Sequence, residues 1–226
     1  MDISEVNRGI KKLKMQYKEL NFKYHDCVIN NKIEKIYYWP GPKDEEILVC
    51  SHQCNGVKEL FHRHDFFFFN YTWDGQYDTF SQKYDNFLTI RKNELYAGQP
   101  WAGHALLVHD DQDTTIIGVL IKKETFFHLF LPLLSPYPKL FHFFADPVAK
   151  AFSEEYLHFK LTDDTAIRSI LEMMILEYAF PKPDSQSLLL SLGLTFIMQI
   201  ARQYDAVTPP QAQNSLLAFP KNAFTI

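Results

Sequence analysis

Glycine is scarce in this chain, 8 of 226 residues. No Gly-x-Gly-x-x-Gly or Walker pattern can be traced, which excludes the loops that cradle phosphates on backbone amides. No Gly-x-Ser-x-Gly elbow is present to raise a nucleophilic serine. Cysteine is scarce too. Cys27, Cys50 and Cys54 are an odd number, without a Cys-x-x-Cys pair. Cys50 and Cys54 flank His52, but a second ligand pair at zinc-finger spacing is missing. They read as free thiols in a reducing cytosol. Positive charge is not in excess: the formal net charge is −4, so nucleic acid finds no basic footprint here. Met1-Asp2-Ile3-Ser4-Glu5 lacks the apolar core of a signal peptide. The densest apolar stretch, Glu124 to Phe144, is interrupted by Pro132, Pro136 and Pro138 and does not read as a membrane span. The expectation is a soluble cytoplasmic protein with no membrane partner and no nucleic acid bound by this chain alone.

Aromatic residues are abundant, 15% of the chain, with 20 Phe and 12 Tyr. They supply a sizeable core and rings to line a pocket. Val6, Ile10, Leu13, Tyr17 and Leu20 recur at spacings of three and four, so residues 1–21 form an amphipathic helix with Ser4 as its cap. From 22 to 122 the period shortens. Apolar or alternating runs cover 33–38, 46–51, 66–73, 86–91, 105–108 and 114–121. Turn residues separate them at Asn30-Asn31-Lys32, Trp73-Asp74-Gly75-Gln76, Arg91-Lys92-Asn93-Glu94 and Asp110 to Asp113. Many short strands with polar punctuation indicate a β-barrel or sandwich. Residues 123–204 read as a helical region. Ile167, Ile170, Leu171, Met174, Ile175 and Tyr178 mark one helix, capped by Thr162 or Asp163 and stopped at Pro181. Leu188, Leu189, Leu192, Phe196, Ile197 and Ile200 mark a second, capped by Ser185. The short connection makes the pair antiparallel. The tail, 205–226, with Pro209-Pro210 and no period, reads as flexible.

The chemistry concentrates in three histidines. His62 and His64 form His-x-His within Phe61-His62-Arg63-His64-Asp65, and His104 follows Gly98-Gln99-Pro100-Trp101-Ala102-Gly103. On a strand, residues two apart share a face, so His62 and His64 point the same way. His104 returns to that face if the strands fold back on one another. Neutral imidazoles with open positions suit a catalytic metal; the plainer role is hydrogen bonding to a ligand at a barrel mouth. Phe68 lies on the His64 face and ligates nothing. Trp101, beside His104, offers a stacking face. Ser51 and His52 are adjacent and therefore face opposite sides of a strand. Asp110 to Asp113 lacks the glycine and distal glutamate of a calcium loop.

The segment Phe61-His62-Arg63-His64-Asp65-Phe66-Phe67-Phe68-Phe69-Asn70-Tyr71 resembles the first cupin motif as it occurs in the N-terminal sensor domain of AraC-family transcription regulators. Gly98-Gln99-Pro100 with His104-Ala105-Leu106 resembles the second, with two more residues before the histidine than is usual there. The intervening Asn86 to Ala97, with Thr89 to Leu95 within it, resembles the strand and turn leading into it. The two helices ending near Tyr204 are similar to that family's dimerisation and linker helices. The resemblance covers residues 45 to 204. Phe68 stands where metal-type cupins carry glutamate. It implies a cupin jelly-roll (double-stranded β-helix) barrel followed by an antiparallel helix pair. It also implies an effector-sensing, non-enzymatic domain that binds a small polar ligand, such as a sugar, through His62, His64, Phe68, Trp101 and His104, and that forms a homodimer through its C-terminal helices. The family's two helix-turn-helix motifs do not follow within the 226 residues. The alternative is a metal-dependent cupin enzyme using His62, His64 and His104. The leading reading needs neither metal nor cofactor.

Overall fold

The computed structural model describes residues 2–29, 31–54, 59, 61–81, 86–108, 113–145, 156–161 and 165–204. Helix α1 spans Ile3–Glu19. Its cap is Asp2 rather than Ser4: the Asp2 carboxylate accepts from the Ser4 amide at 2.9 Å, which leaves Ser4 inside the first turn. Val6 and Leu13 bury the apolar stripe.

Eleven strands follow among the described residues. β1 (Tyr24–Ile29) and β2 (Lys32–Tyr37) form a hairpin, with β4 (His62–His64) running parallel to β2. β3 (Ile47–Cys54), β10 (Thr114–Ile121), β5 (Phe67–Asp74), β8 (Glu94–Gly98) and β11 (Tyr156–Lys160) make a five-stranded sheet in that order. β7 (Asn86–Arg91), β6 (Gln76–Ser81) and β9 (Ala105–Leu107) make the third sheet. An antiparallel bridge between His62 and His104 joins the first sheet to the third. Together these two oppose the five-stranded sheet, which is the two-layered jelly roll the sequence leads one to expect.

Both faces of the five-stranded sheet are buried. Phe67, Phe69 and Tyr71 pack under the helices, while Phe66 and Phe68 fill the interior of the roll. Two buried faces explain why Phe66 to Phe69 is an unbroken apolar run instead of an alternating one. The turns carry left-handed residues: Asn31 (φ 62°), Asn93 (φ 65°) and Gly75 (φ 77°). At Gly75 an added Cβ would lie 2.5 Å from the Asp113 carbonyl, so no other residue fits.

Beyond β10 come α2 (Lys123–Thr125), a π turn at Phe126–Phe130, a 3-10 turn at Leu131–Leu134 and α3 (Pro138–Ala145). Helices α4 (Thr165–Ala179) and α5 (Ser185–Tyr204) complete the described chain and pack on each other. The 123–204 region is therefore not wholly helical, because β11 lies within it and pairs with β8. Nor does position 122 divide two cores: α1, the sheet and both long helices share one cluster. Ser185 is the first residue of α5, not its cap. Its hydroxyl accepts from the Lys182 amide, and the Leu188 amide bonds back to the Asp184 carbonyl. Leu188 also leaves the expected buried stripe, at 46% exposure, and Gly193 takes a place in it. Residues 110–112 of the expected acidic turn, the Thr162 and Asp163 caps and the 205–226 tail lie outside the described residues. Among the described residues, no helix is long and apolar enough to cross a membrane.

Candidate functional site

The bridge that joins the two smaller sheets is made by the histidines themselves. The His62 amide donates to the His104 carbonyl at 3.0 Å, and the His104 amide returns the bond at 3.0 Å. Paired this way, the two side chains leave the same face. His64 joins them two residues on along β4. Ring centroids are 4.6 Å apart for His62 and His104, 4.8 Å for His62 and His64, and 5.1 Å for His64 and His104. One ligand atom from each ring falls within 4.8 Å of the others. The Nδ1 atoms of His64 and His104 are buried without a hydrogen-bond partner.

Phe68 is the floor of this cluster, 4.6 Å from the His104 ring, and Phe66 stacks on His64 at 4.6 Å. Below them the roll is filled by Leu48, Tyr77, Ile90, Tyr96 and Ile116. What is left at the histidine end is a cavity of about 50 Å³. That is space for an ion or a few waters, since one water needs about 10–15 Å³ of such space; pockets for drug-sized ligands run from about 300 Å³. Tyr17 from α1 and Phe22 also line the cavity.

Two titratable residues at this cavity were not assigned to it from the sequence, and Asn70 on β5 also lines it. His52, on β3, turns inward and lies under the Tyr17 ring at 4.0 Å. Glu59 also lines it, its amide tied to the Leu106 carbonyl at 2.8 Å. Inward alternation of Leu48, Cys50 and His52 along β3 is the signal that finds the first. Glu59 has no such signal, since it stands three residues before His62, out of step with the strand.

Trp101 is not in the cavity. Its backbone is left-handed (φ 68°), its amide donates to the His64 carbonyl at 2.8 Å, and its carbonyl accepts from Arg63 Nη1 at 2.6 Å. Held so, the indole faces the Lys123 ammonium at 5.4 Å. Its role is to clamp the 99–104 turn onto β4, and the stacking face expected of it points elsewhere. Trp101→Gly removes the ring and relieves the left-handed strain. We expect it to leave binding in the cavity within twofold of the parent, measured by calorimetry with any ligand that binds; a tenfold loss would return Trp101 to the site.

Arg63 is the other residue the sequence left out. Alternation turns it away from the histidines, yet it is fully buried. Its Nε donates to the Glu34 carboxylate on β2 at 2.6 Å. One guanidinium thus ties β2, β4 and the Trp101 turn together and fixes the backbone that presents His62, His64 and His104.

Electrostatically the cavity favours neutral imidazoles. Burial lowers His52 from 6.5 to about 4. Burial, then the neighbouring His62 charge, holds His64 and His104 well below the ordinary range. Burial pushes Glu59 up, and His62 opposes that shift. The Cys50 thiol lies 3.4 Å from His52 Nε2, but burial raises it to about 12. A reactive cysteine needs the opposite shift, so this pair is not a nucleophile with its base.

No protein-family model matches the chain, and no curated protein matches it. Among solved structures it is similar to ToxT from Vibrio cholerae, at 12% identity and a TM-score of 0.47, over 76% of this chain and 61% of that one. The chain thus spans about three fifths of that ToxT chain. A cupin-2 domain protein from Shewanella frigidimarina is similar at 13% identity and a TM-score of 0.31, over 48% and 90%. KdgF from Halomonas sp. is similar at 10% and 0.31, over 34% and 69%. Likeness of this degree leaves function to be read from the residues themselves.

Proposed function

We propose that this chain is the effector-sensing and dimerisation part of an AraC-type transcription regulator, taking its ligand at His62, His64 and His104. The convergence of these three imidazoles in one cavity carries the reading. It is supported by the order of the two motif segments, which fall on β4–β5 and on the turn between β8 and β9, and by the helix pair behind them. The chain acts as a binding module: the thiol–imidazole pair of Cys50 and His52 is inert, and DNA is contacted by another part of the regulator. The cavity selects for small polar ligands. At about 50 Å³ the cavity holds a sugar ring only if lining side chains move; a short carboxylate or a hydrated ion does not require that. Met173 on α4 and Leu188 on α5, both at least 40% exposed, are the apolar contacts we assign to the dimer. Any ligand signal is bounded by its differential affinity for the two dimer geometries.

The test is calorimetry of chelator-treated protein against pentoses, hexoses and short carboxylates, alongside His62→Ala. Binding that disappears in the variant supports the proposal. Binding untouched by it, or none from the whole panel, contradicts it.

A second reading shares the site. Three converging imidazoles, with the Nδ1 atoms of His64 and His104 buried and lacking a hydrogen-bond partner, fit a divalent transition ion. Ligands at 2.0–2.1 Å from zinc lie about 3–3.5 Å apart, so small ring rotations close the present spacing. His62, His64 and His104 would hold such an ion, which when bound supplies a Lewis-acidic anchor for a polar ligand.

A further inference from the structure

Within that second reading the cavity poses a charge problem. Three imidazoles are neutral donors, and Arg63, on the back of β4, adds positive charge close enough to bear on His104. A divalent ion among them would sit in an apolar roll floored by Phe66 and Phe68 with no anion beside it. Burying an uncompensated charge is strongly unfavourable. Phe68 occupies the position from which a carboxylate would be expected and supplies none.

Glu59 is the one carboxylate among the described residues that lines this cavity. Its placement follows from the backbone. Opposite the short ladder, the pairing runs from His62 with His104 to Glu59 with Leu106. Three residues on one side therefore span two on the other. An extra residue of this kind reverses the alternation of a strand and turns position 59 to the side of His62. The same hydrogen-bonded ladder thus presents His62, His104 and Glu59 together. Asp65, nearer to the His-x-His pair in sequence, instead faces Lys123 and Glu124.

We propose that Glu59 is the anionic fourth donor of a divalent transition-metal site with His62, His64 and His104, delivered from ahead of the His-x-His pair rather than from the strand behind it. The proposal rests on the metal reading above and adds the residue that makes it electrostatically possible. A bound cation would in turn hold Glu59 ionised. Three imidazoles and one carboxylate leave positions open for a small polar ligand, and suit Fe, Ni or Zn over the harder Mg and Ca.

The test uses the full chain, stripped with chelator and titrated with Zn²⁺ alone, followed by Co²⁺ with its visible spectrum recorded. The wild type is expected to take one ion per chain. Glu59→Gln, nearly isosteric, should weaken Zn²⁺ at least tenfold and shift the Co²⁺ bands, while His62→Ala abolishes uptake. Glu59→Asp keeps the charge with a shorter reach and should fall between wild type and Glu59→Gln; its thermal melt against the wild type separates this from unfolding. If Glu59→Gln binds like the wild type with an unchanged Co²⁺ spectrum, the carboxylate assignment is overturned and the three-imidazole site stands. If the wild type takes up neither ion, the metal reading falls and Glu59 falls with it.

Discussion

Arg63→Ala should lower folding stability by about 3–5 kcal/mol, the loss typical of breaking a buried ion pair from one side. The reason is what remains. Glu34 is 6% exposed and would keep a carboxylate facing the space the guanidinium filled. The Trp101 carbonyl would lose its donor as well. For a domain of this size each kcal/mol moves the melting temperature by about 2–4 °C, so a drop of roughly 10 °C is the readout. Replacing both partners, Arg63→Met with Glu34→Leu, should recover much of the loss, because no unpaired charge is left in the interior. The double variant should still bind poorly, since the turn carrying His104 is no longer clamped to β4. A loss below about 1 kcal/mol in Arg63→Ala, measured by urea unfolding, would show that the pair is not the structural tie described.

The second large effect is on acidification. His52 has a folded value of about 4 against an ordinary 6.5, and His64 and His104 are lowered in the same direction. Below pH 6.5 the unfolded chain binds protons at these rings while the folded chain does not. Stability therefore rises with pH across this window, is complete above about 6.5, and is lost as pH falls toward 4. At about 1.4 kcal/mol per unit, His52 alone accounts for up to about 3 kcal/mol. Glu45, Glu59 and Asp65 work against this in part. Burial raises each of them, so the folded state takes up their protons first on the acid side. The lowering of His52 to about 4, with His64 and His104 held down in the same direction, carries the expectation of a urea midpoint that falls from pH 7 to pH 5. His52→Asn should flatten that slope. A midpoint constant across the range would contradict neutral burial of the cluster.

What the sequence disclosed, and what it hid, follows from period and distance. Strand alternation placed His62 and His64 on one face, and the Phe66 to Phe69 run marked a strand buried on both sides. The helical stripes placed α4 and α5 to within two residues of their observed starts. The rest depended on breaks in period. Glu59 enters the site through an added residue opposite the short ladder, which no alternation rule anticipates. Trp101 sits next to His104 in sequence, but a left-handed backbone turns its ring away to Lys123. Arg63 lies between two histidines, and its burial depends on Glu34, twenty-nine residues earlier, which no local pattern brings to it. β11 was hidden inside a region read as helical because five residues, Tyr156–Lys160, are too few to show a period of their own.

The claim on which the account turns is that His62, His64 and His104 share one cavity. Nitrogen-detected imidazole NMR of the full chain at pH 7 tests it most directly, with His104→Gln as the perturbation. The rings of His62 and His64 should shift together in that variant, and His64 should report a neutral tautomer in the parent, while the exposed His128 and His142 stay where they were. If His62 and His64 do not respond to the loss of His104, the three rings do not meet, and both the ligand site and the metal site built on them are wrong.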